Sequence, residues 1–149
     1  RVSELGPIVL FSNLTECIPY DDSAIALWVT GAKKKKMILY MLRDEVWDGA
    51  HCEFFQFSEG VRVIYDRQSH ILKEFSLYGE PIDDMKIYKI GLQYYFYLNM
   101  KDFFSLSHEE VEQNGKPRRV ATSCREVLEE YLSCHQGLDH RIGDRLQIL

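Results

Sequence analysis

Residues 23–30, Ser-Ala-Ile-Ala-Leu-Trp-Val-Thr, most narrow the folds open to this chain. The run is short, rich in apolar residues and entered through Pro19-Tyr20-Asp21-Asp22, which predicts a largely buried strand. The next residues change period at once. Thr30 has N-cap chemistry, and Gly31-Ala32 open a helix predicted to run to about Glu45. Ile38, Leu42 and Val46 then recur at i, i+4 and i+8, with Met41 beside them, as a core-facing stripe. Lys33 to Lys36 fall in the first turns, where each positive charge opposes the helix dipole by about a few tenths of a kcal/mol.

Downstream the pattern turns to strands. Glu53 to Phe57, Val61 to Tyr65 and Ile71 to Leu77 are separated by Ser58-Glu59-Gly60 and by Asp66-Arg67-Gln68-Ser69-His70, both of turn composition. Gly79-Glu80-Pro81 makes another turn, Ile87 to Leu92 a further strand, and Tyr94 to Leu98 a short aromatic helix or turn. His108 to Arg119 contains Asn114-Gly115-Lys116-Pro117 and is expected to be an exposed loop. Ser123, with Glu126 three residues on, is a capping box for a last helix. Val127, Leu128, Tyr131 and Leu132 line one face of it, and Gly137 stops it. Arg145 to Leu149 suits a closing strand. The order is helix, strand, helix, three strands, strand, helix, strand. That is an α+β domain, a mixed β-sheet with flanking helices.

A length of 149 residues fits one domain over 1–149, large enough to bury a core without metals or disulfides. The sequence opens at Arg1 with neither an initiator Met nor a signal segment, and is read as a piece of a longer protein. No apolar run reaches membrane-spanning length. With 18 basic and 23 acidic side chains the net charge is −5, which argues against a dedicated nucleic-acid binder. The lysine run is expected to be a solvated helix face.

Most catalytic chemistries lack their residues. The five His are scattered, with no His-Glu-x-x-His or His-x-His spacing, so two-metal hydrolysis finds no ligand set here. Cys17, Cys52, Cys124 and Cys134 form no C-x-x-C pair and are expected as buried free thiols; an activated thiol at Cys52 beside His51 is the sharper alternative. The glycines stand singly, which removes a P-loop or dinucleotide fingerprint. Asn13-Leu14-Thr15 matches the glycosylation sequon. What remains is aromatic. Phe54-Phe55-Gln56-Phe57 and Tyr94-Tyr95-Phe96-Tyr97 cannot all be buried by simple alternation. One ring from each cluster, exposed at a cleft, would stack a planar ligand such as a nucleobase at about 1–3 kcal/mol per ring.

The ordered motifs Ile18-Pro19-Tyr20-Asp21-Asp22-Ser23, Val29-Thr30-Gly31-Ala32, Cys52-Glu53-Phe54-Phe55-Gln56-Phe57-Ser58-Glu59-Gly60-Val61-Arg62, Tyr65-Asp66, Tyr78-Gly79-Glu80-Pro81-Ile82-Asp83 and Ile87-Tyr88-Lys89-Ile90 carry a resemblance. Together they resemble the C-terminal domain of the 5′-nucleotidase family, metallophosphatases that include UDP-sugar hydrolases and 2′,3′-cyclic-nucleotide phosphodiesterases. The likeness covers about residues 1–104, with a weaker echo in the final helix and Gly143-Asp144-Arg145.

The resemblance implies a division of labour. An N-terminal calcineurin-like domain, absent here, holds two divalent metal ions and hydrolyses the ester; this fragment needs no cofactor of its own. The C-terminal domain stacks the nucleoside of a nucleotide or nucleotide-sugar between two aromatic rings. Phe54 matches the first ring and Tyr95 the second, with Phe96 its neighbour in register. Arg1 matches the arginine that ends a glycine-rich, phosphate-holding turn. One departure matters. Where the family carries Gly-Gly-Asp-Gly, with the Asp on the ribose hydroxyls, this chain has Asn99-Met100-Lys101-Asp102. Lys101 cannot accept hydrogen bonds from hydroxyls and favours an anionic group, such as a phosphorylated sugar. The alternative is a degenerate, non-catalytic interaction domain. The altered segment is nearer to members of cytoplasmic character, and no membrane or nucleic-acid partner is expected.

Overall fold

The structure, a computed structural model, describes residues 6, 8–48, 56–137 and 143–149. Helix α1 (Phe11–Cys17) leads into β1 (Ala24–Thr30), which passes directly into α2 (Gly31–Met41). Strands β2 (Val61–Asp66), β3 (Ile71–Leu77), β4 (Glu80–Pro81) and β5 (Ile87–Gln93) follow, then three short helices, α3 (Tyr94–Leu98), α4 (Met100–Phe104) and α5 (His108–Glu112). The chain closes with β6 (Arg118–Ala121), α6 (Cys124–Cys134) and β7 (Leu146–Ile148).

Two sheets result. β1 is the centre of an antiparallel sheet ordered β5-β1-β6, and its Leu27 and Val29 are completely buried. The second sheet, β4-β3-β2-β7, is mixed, because β7 runs parallel to β2. This is the expected α+β class, with the sheet divided into two.

The strand-to-helix junction forms as its sequence predicts. The Thr30 hydroxyl accepts from the Lys33 N–H at 3.4 Å. Gly31 donates to the Lys86 carbonyl at 3.0 Å and Ala32 to that of Asp84 at 3.1 Å, so residues 82–86 lie against the start of α2. The helix ends at Met41, short of the expected Glu45. Arg43 Nη1 takes the Tyr40 carbonyl at 2.7 Å, and the Trp47 indole donates to that of Leu42 at 3.3 Å, satisfying carbonyls the helix leaves open. A 3₁₀ turn, Asp44–Val46, continues the burial, so Ile38, Leu42 and Val46 all reach the core.

The lysine run corrects the expectation of a merely solvated face. Lys33 Nζ donates to the Glu110 carbonyl and to Gln113 Oε1, Lys35 pairs with Asp84 at 2.7 Å, and Lys36 with Glu110 at 3.4 Å. Lys34 turns inward and is half-buried. Thus three of the four charges that oppose the α2 dipole meet oxygen partners from α5 and the 82–86 turn.

Residues 108–119 are a second correction. Ser107 and Glu110 form a reciprocal capping box, at 3.2 and 2.7 Å, that starts α5, and Val111 is completely buried. Arg118 and Arg119 already belong to β6 against β1. Only the Asn114–Pro117 part behaves as the loop its composition predicts. The strand expected over 53–57 falls mostly outside the described residues; Gln56 and Phe57 lie in no strand.

The Asp21-Asp22 pair ties distant elements together. Ser123 Oγ accepts from the Glu126 N–H at 2.9 Å, capping α6, and donates to Asp21 Oδ2 at 2.6 Å. Asp21 also accepts from the Arg125 N–H at 3.1 Å. The Ser123 hydroxyl and that N–H hold the Asp21 carboxyl below its ordinary range. α6 packs on α1 but leaves much of its apolar face open, with Val127 50% and Tyr131 43% exposed.

The β2–β3 hairpin gives a pH prediction. Asp66 accepts from Lys73 Nζ at 2.8 Å and from the Ser69 N–H at 3.1 Å, and its pKa falls from 3.8 to about 2, led by the Lys73 bond. A depressed carboxylate stabilises the fold above its unfolded value and loses that contribution as pH falls through its folded value. Asp66→Asn is therefore expected to flatten the decline in thermal midpoint between about pH 4 and pH 2. An unchanged acid profile would mean the hairpin gains nothing from the ionised form.

Candidate functional site

The aromatic run Tyr94 to Tyr97 forms α3, so its rings diverge by helical phase rather than by strand alternation. Tyr97 is buried, its ring tilted against that of His108 with centroids 4.7 Å apart, and its hydroxyl donates to Glu112. Burial, with Glu112 beside it, pushes that hydroxyl up to about 12, so it stays protonated. Tyr95 points outward, 55% exposed, with its ring edge-on to Phe96 at 5.6 Å and to Phe103 at 5.8 Å.

The backbone beneath Tyr95 is fixed from afar. Asp22 Oδ2 accepts from the Tyr95 N–H at 2.6 Å, and the Tyr94 N–H donates to the Ser23 carbonyl at 2.8 Å. The Pro19-to-Ser23 loop, one of the sequence motifs, thereby holds the first turn of the helix that carries the exposed ring. The anchoring role of Asp22 has no signature in local sequence, because Tyr95 lies in a distant part of the chain.

Of the other expected site residues, Phe54 and Arg1 lie outside the described residues, as do Cys52 and His51. Lys101 is exposed on α4. It is two residues from Phe103, about 200° around the helix, so the face that meets Tyr95 is not the one that presents Lys101. The Asn99–Asp102 segment is the opening of this helix, with Asn99 Nδ2 donating to the Tyr95 carbonyl at 2.9 Å.

A cavity of about 480 Å³ opens between α2, β3 and β5, and the two aromatic clusters both reach it, through Phe57 and Phe96. Phe75 adds a third ring from β3; the polar lining includes Lys34, Lys89, Gln56 and Gln93. Tyr95 is not part of this wall. Lys34 Nζ sits 4.6 Å from the Tyr88 ring centroid and 5.1 Å from that of Phe75, and burial pushes its pKa down. Among the described residues no group of three or more His, Cys, Asp and Glu side chains is placed to hold a metal ion. Nor is any helix among them long and apolar enough to cross a membrane.

No family model matches the chain, and no curated protein matches it by sequence. Solved structures do match. A 5′-nucleotidase precursor from Thermus thermophilus superimposes with a TM-score of 0.78 and 17% identity, over 95% of this chain and 28% of its own. The NAD nucleotidase of Haemophilus influenzae gives 0.74 and 16%, over 94% of this chain and 26% of its own. The Thermus thermophilus sulfate thiohydrolase SoxB, solved with glycerol, gives 0.55 and 15%, over 87% of this chain and 23% of its own. The chain thus has the fold of the C-terminal domain of 5′-nucleotidase-like proteins and spans about a quarter of their length.

Proposed function

We propose that this chain is the substrate-recognition domain of a nucleotide-hydrolysing phosphatase of the 5′-nucleotidase type. In this reading the nucleoside base stacks between Phe54 and Tyr95, and Arg1 holds phosphate. A calcineurin-like domain outside the chain cleaves the phosphate ester with two divalent metal ions. The described residues offer no ligand cluster that fits those ions, so no hydrolytic step is assigned to them. The observation that carries the reading is the Tyr95 ring, uncovered yet anchored through Asp22 and braced by two further rings, in a domain of this fold. An aromatic face held in place before binding loses little conformational entropy when a base stacks on it.

Calorimetric titration of the chain with AMP, a 3′-phosphorylated nucleotide and a UDP-sugar tests this directly. Binding is expected, and Tyr95→Ala and Phe54→Ala are each expected to weaken it by about tenfold or more. Unchanged affinity in both variants would remove the ring pair from recognition. Lys101 stands on the face of α4 turned away from Tyr95, so Lys101→Asp is expected to leave the affinities for the nucleoside and its sugar-phosphorylated form within about twofold of the parent.

A second reading is a non-catalytic interaction domain that no longer binds nucleotides. It is favoured by the helical Asn99–Asp102 segment, where the resembled family carries a glycine-rich turn. A flat response to the whole nucleotide panel would select it.

A further inference from the structure

Three lysines of the α2 run meet oxygen partners at the surface; Lys34 does not. Among the described residues no carboxylate lies within ion-pair distance of its Nζ and no oxygen accepts a hydrogen bond from it. Its neighbours are the faces of Tyr88 and Phe75. Ring faces attract a cation but fill none of the three N–H donors of an ammonium group. The ammonium therefore stands at the cavity wall with donors open to whatever enters.

The rest of the wall agrees in sign. The charged residues that line it among the described residues are Lys34 and Lys89, and none is acidic, in a chain whose net charge is −5. The remainder is mostly apolar, including Met37, Met41, Phe57 and Phe96. A volume of about 480 Å³ lies within the range of small-molecule sites. Lowered hydration of the Lys34 ammonium, the cause of its depressed pKa, strengthens its attraction for a negative group while it remains charged.

We infer that this cavity binds an amphiphilic anion, with an apolar body against the methionines and aromatic rings and a single anionic head at Lys34. The site is separate from the Tyr95 face and does not depend on nucleotide recognition. Carboxylate, sulfonate and phosphate heads share the required chemistry. A nucleotide panel that fails leaves this inference standing, and a successful one does not establish it.

Two dyes that differ by one sulfonate isolate the charge. The full chain is titrated with 1-anilinonaphthalene-8-sulfonate and with uncharged N-phenyl-1-naphthylamine, below its thermal transition. Both are expected to bind at one site per chain, the sulfonate more tightly. Lys34→Met is expected to weaken the sulfonate by about tenfold while leaving the neutral dye within about twofold, and Lys34→Arg to keep sulfonate binding. Failure of the folded protein to bind either dye would overturn the inference, as would equal affinity for the sulfonate in Lys34→Met and the parent. If Lys34→Met does not fold, competition on the parent decides. Decanoate should displace the sulfonate dye far better than decanol does, and equal displacement by the two would contradict a head-group site.

Discussion

Gly31→Ala is expected to destabilise the domain by about 3 kcal/mol or more, enough to remove half or more of the stability of a marginal fold. The reason is space, not backbone freedom. A methyl group at Gly31 would lie 2.7 Å from the Asp83 carbonyl carbon, closer still to its oxygen, and 2.8 Å from Ile82 Cγ2. Two of these atoms are backbone and cannot swing away. Shifting the 82–86 turn would break the bonds from Gly31 to Lys86 and from Ala32 to Asp84, and would lift buried Ile82 from the core. Gly79 is the control. Its φ is +83°, but a Cβ there meets nothing within 4 Å, so Gly79→Ala should cost only the left-handed backbone penalty of about 1–2 kcal/mol. Equilibrium denaturation of both variants checks the order. A Gly31→Ala protein as stable as the parent would mean the turn does not lie on α2.

Phe104→Ala should be nearly as damaging, at about 3–5 kcal/mol. Phe104 is among the largest fully buried side chains, its ring centroid 6.4 Å from that of Phe103, and α4 packs directly on α2. Removing the ring forfeits its transfer energy and enlarges a cavity that is already present, since Phe104 lines the space beside Lys34. A wall with an existing void has few atoms free to move in and compensate. Urea unfolding gives the cost. A loss below about 1 kcal/mol would show that α4 is not packed as described.

The β1–α2 unit was legible because its signals are local: an apolar run, a capping threonine, then a 3.6-residue period, all within one stretch. The same holds for Val61 to Leu77, where turn residues separate two short strands, and for the Ser123 cap of α6. Residues 108–119 misled because Asn114-Gly115-Lys116-Pro117 is so strong a loop signal that it masks Ser107-x-x-Glu110, the same capping pattern recognised at Ser123. The parallel placement of β7 beside β2 and the split into two sheets are tertiary choices with no local mark.

At the site, composition marked both aromatic clusters but could not say which ring faces where. Helical phase in α3 decides that, burying Tyr97, sending Phe96 to the cavity wall and leaving Tyr95 outside. The four lysines are identical in sequence. Only the position of α2 against β3 and β5 singles out Lys34.

Stacking has a direct spectroscopic signature, because a nucleobase lying on aromatic faces feels their ring currents. In proton NMR of AMP titrated with the chain, the two base protons are expected to move upfield and to lose that shift in Tyr95→Ala. Base protons that keep their free positions while the nucleotide is demonstrably bound would contradict recognition of the nucleoside by stacking.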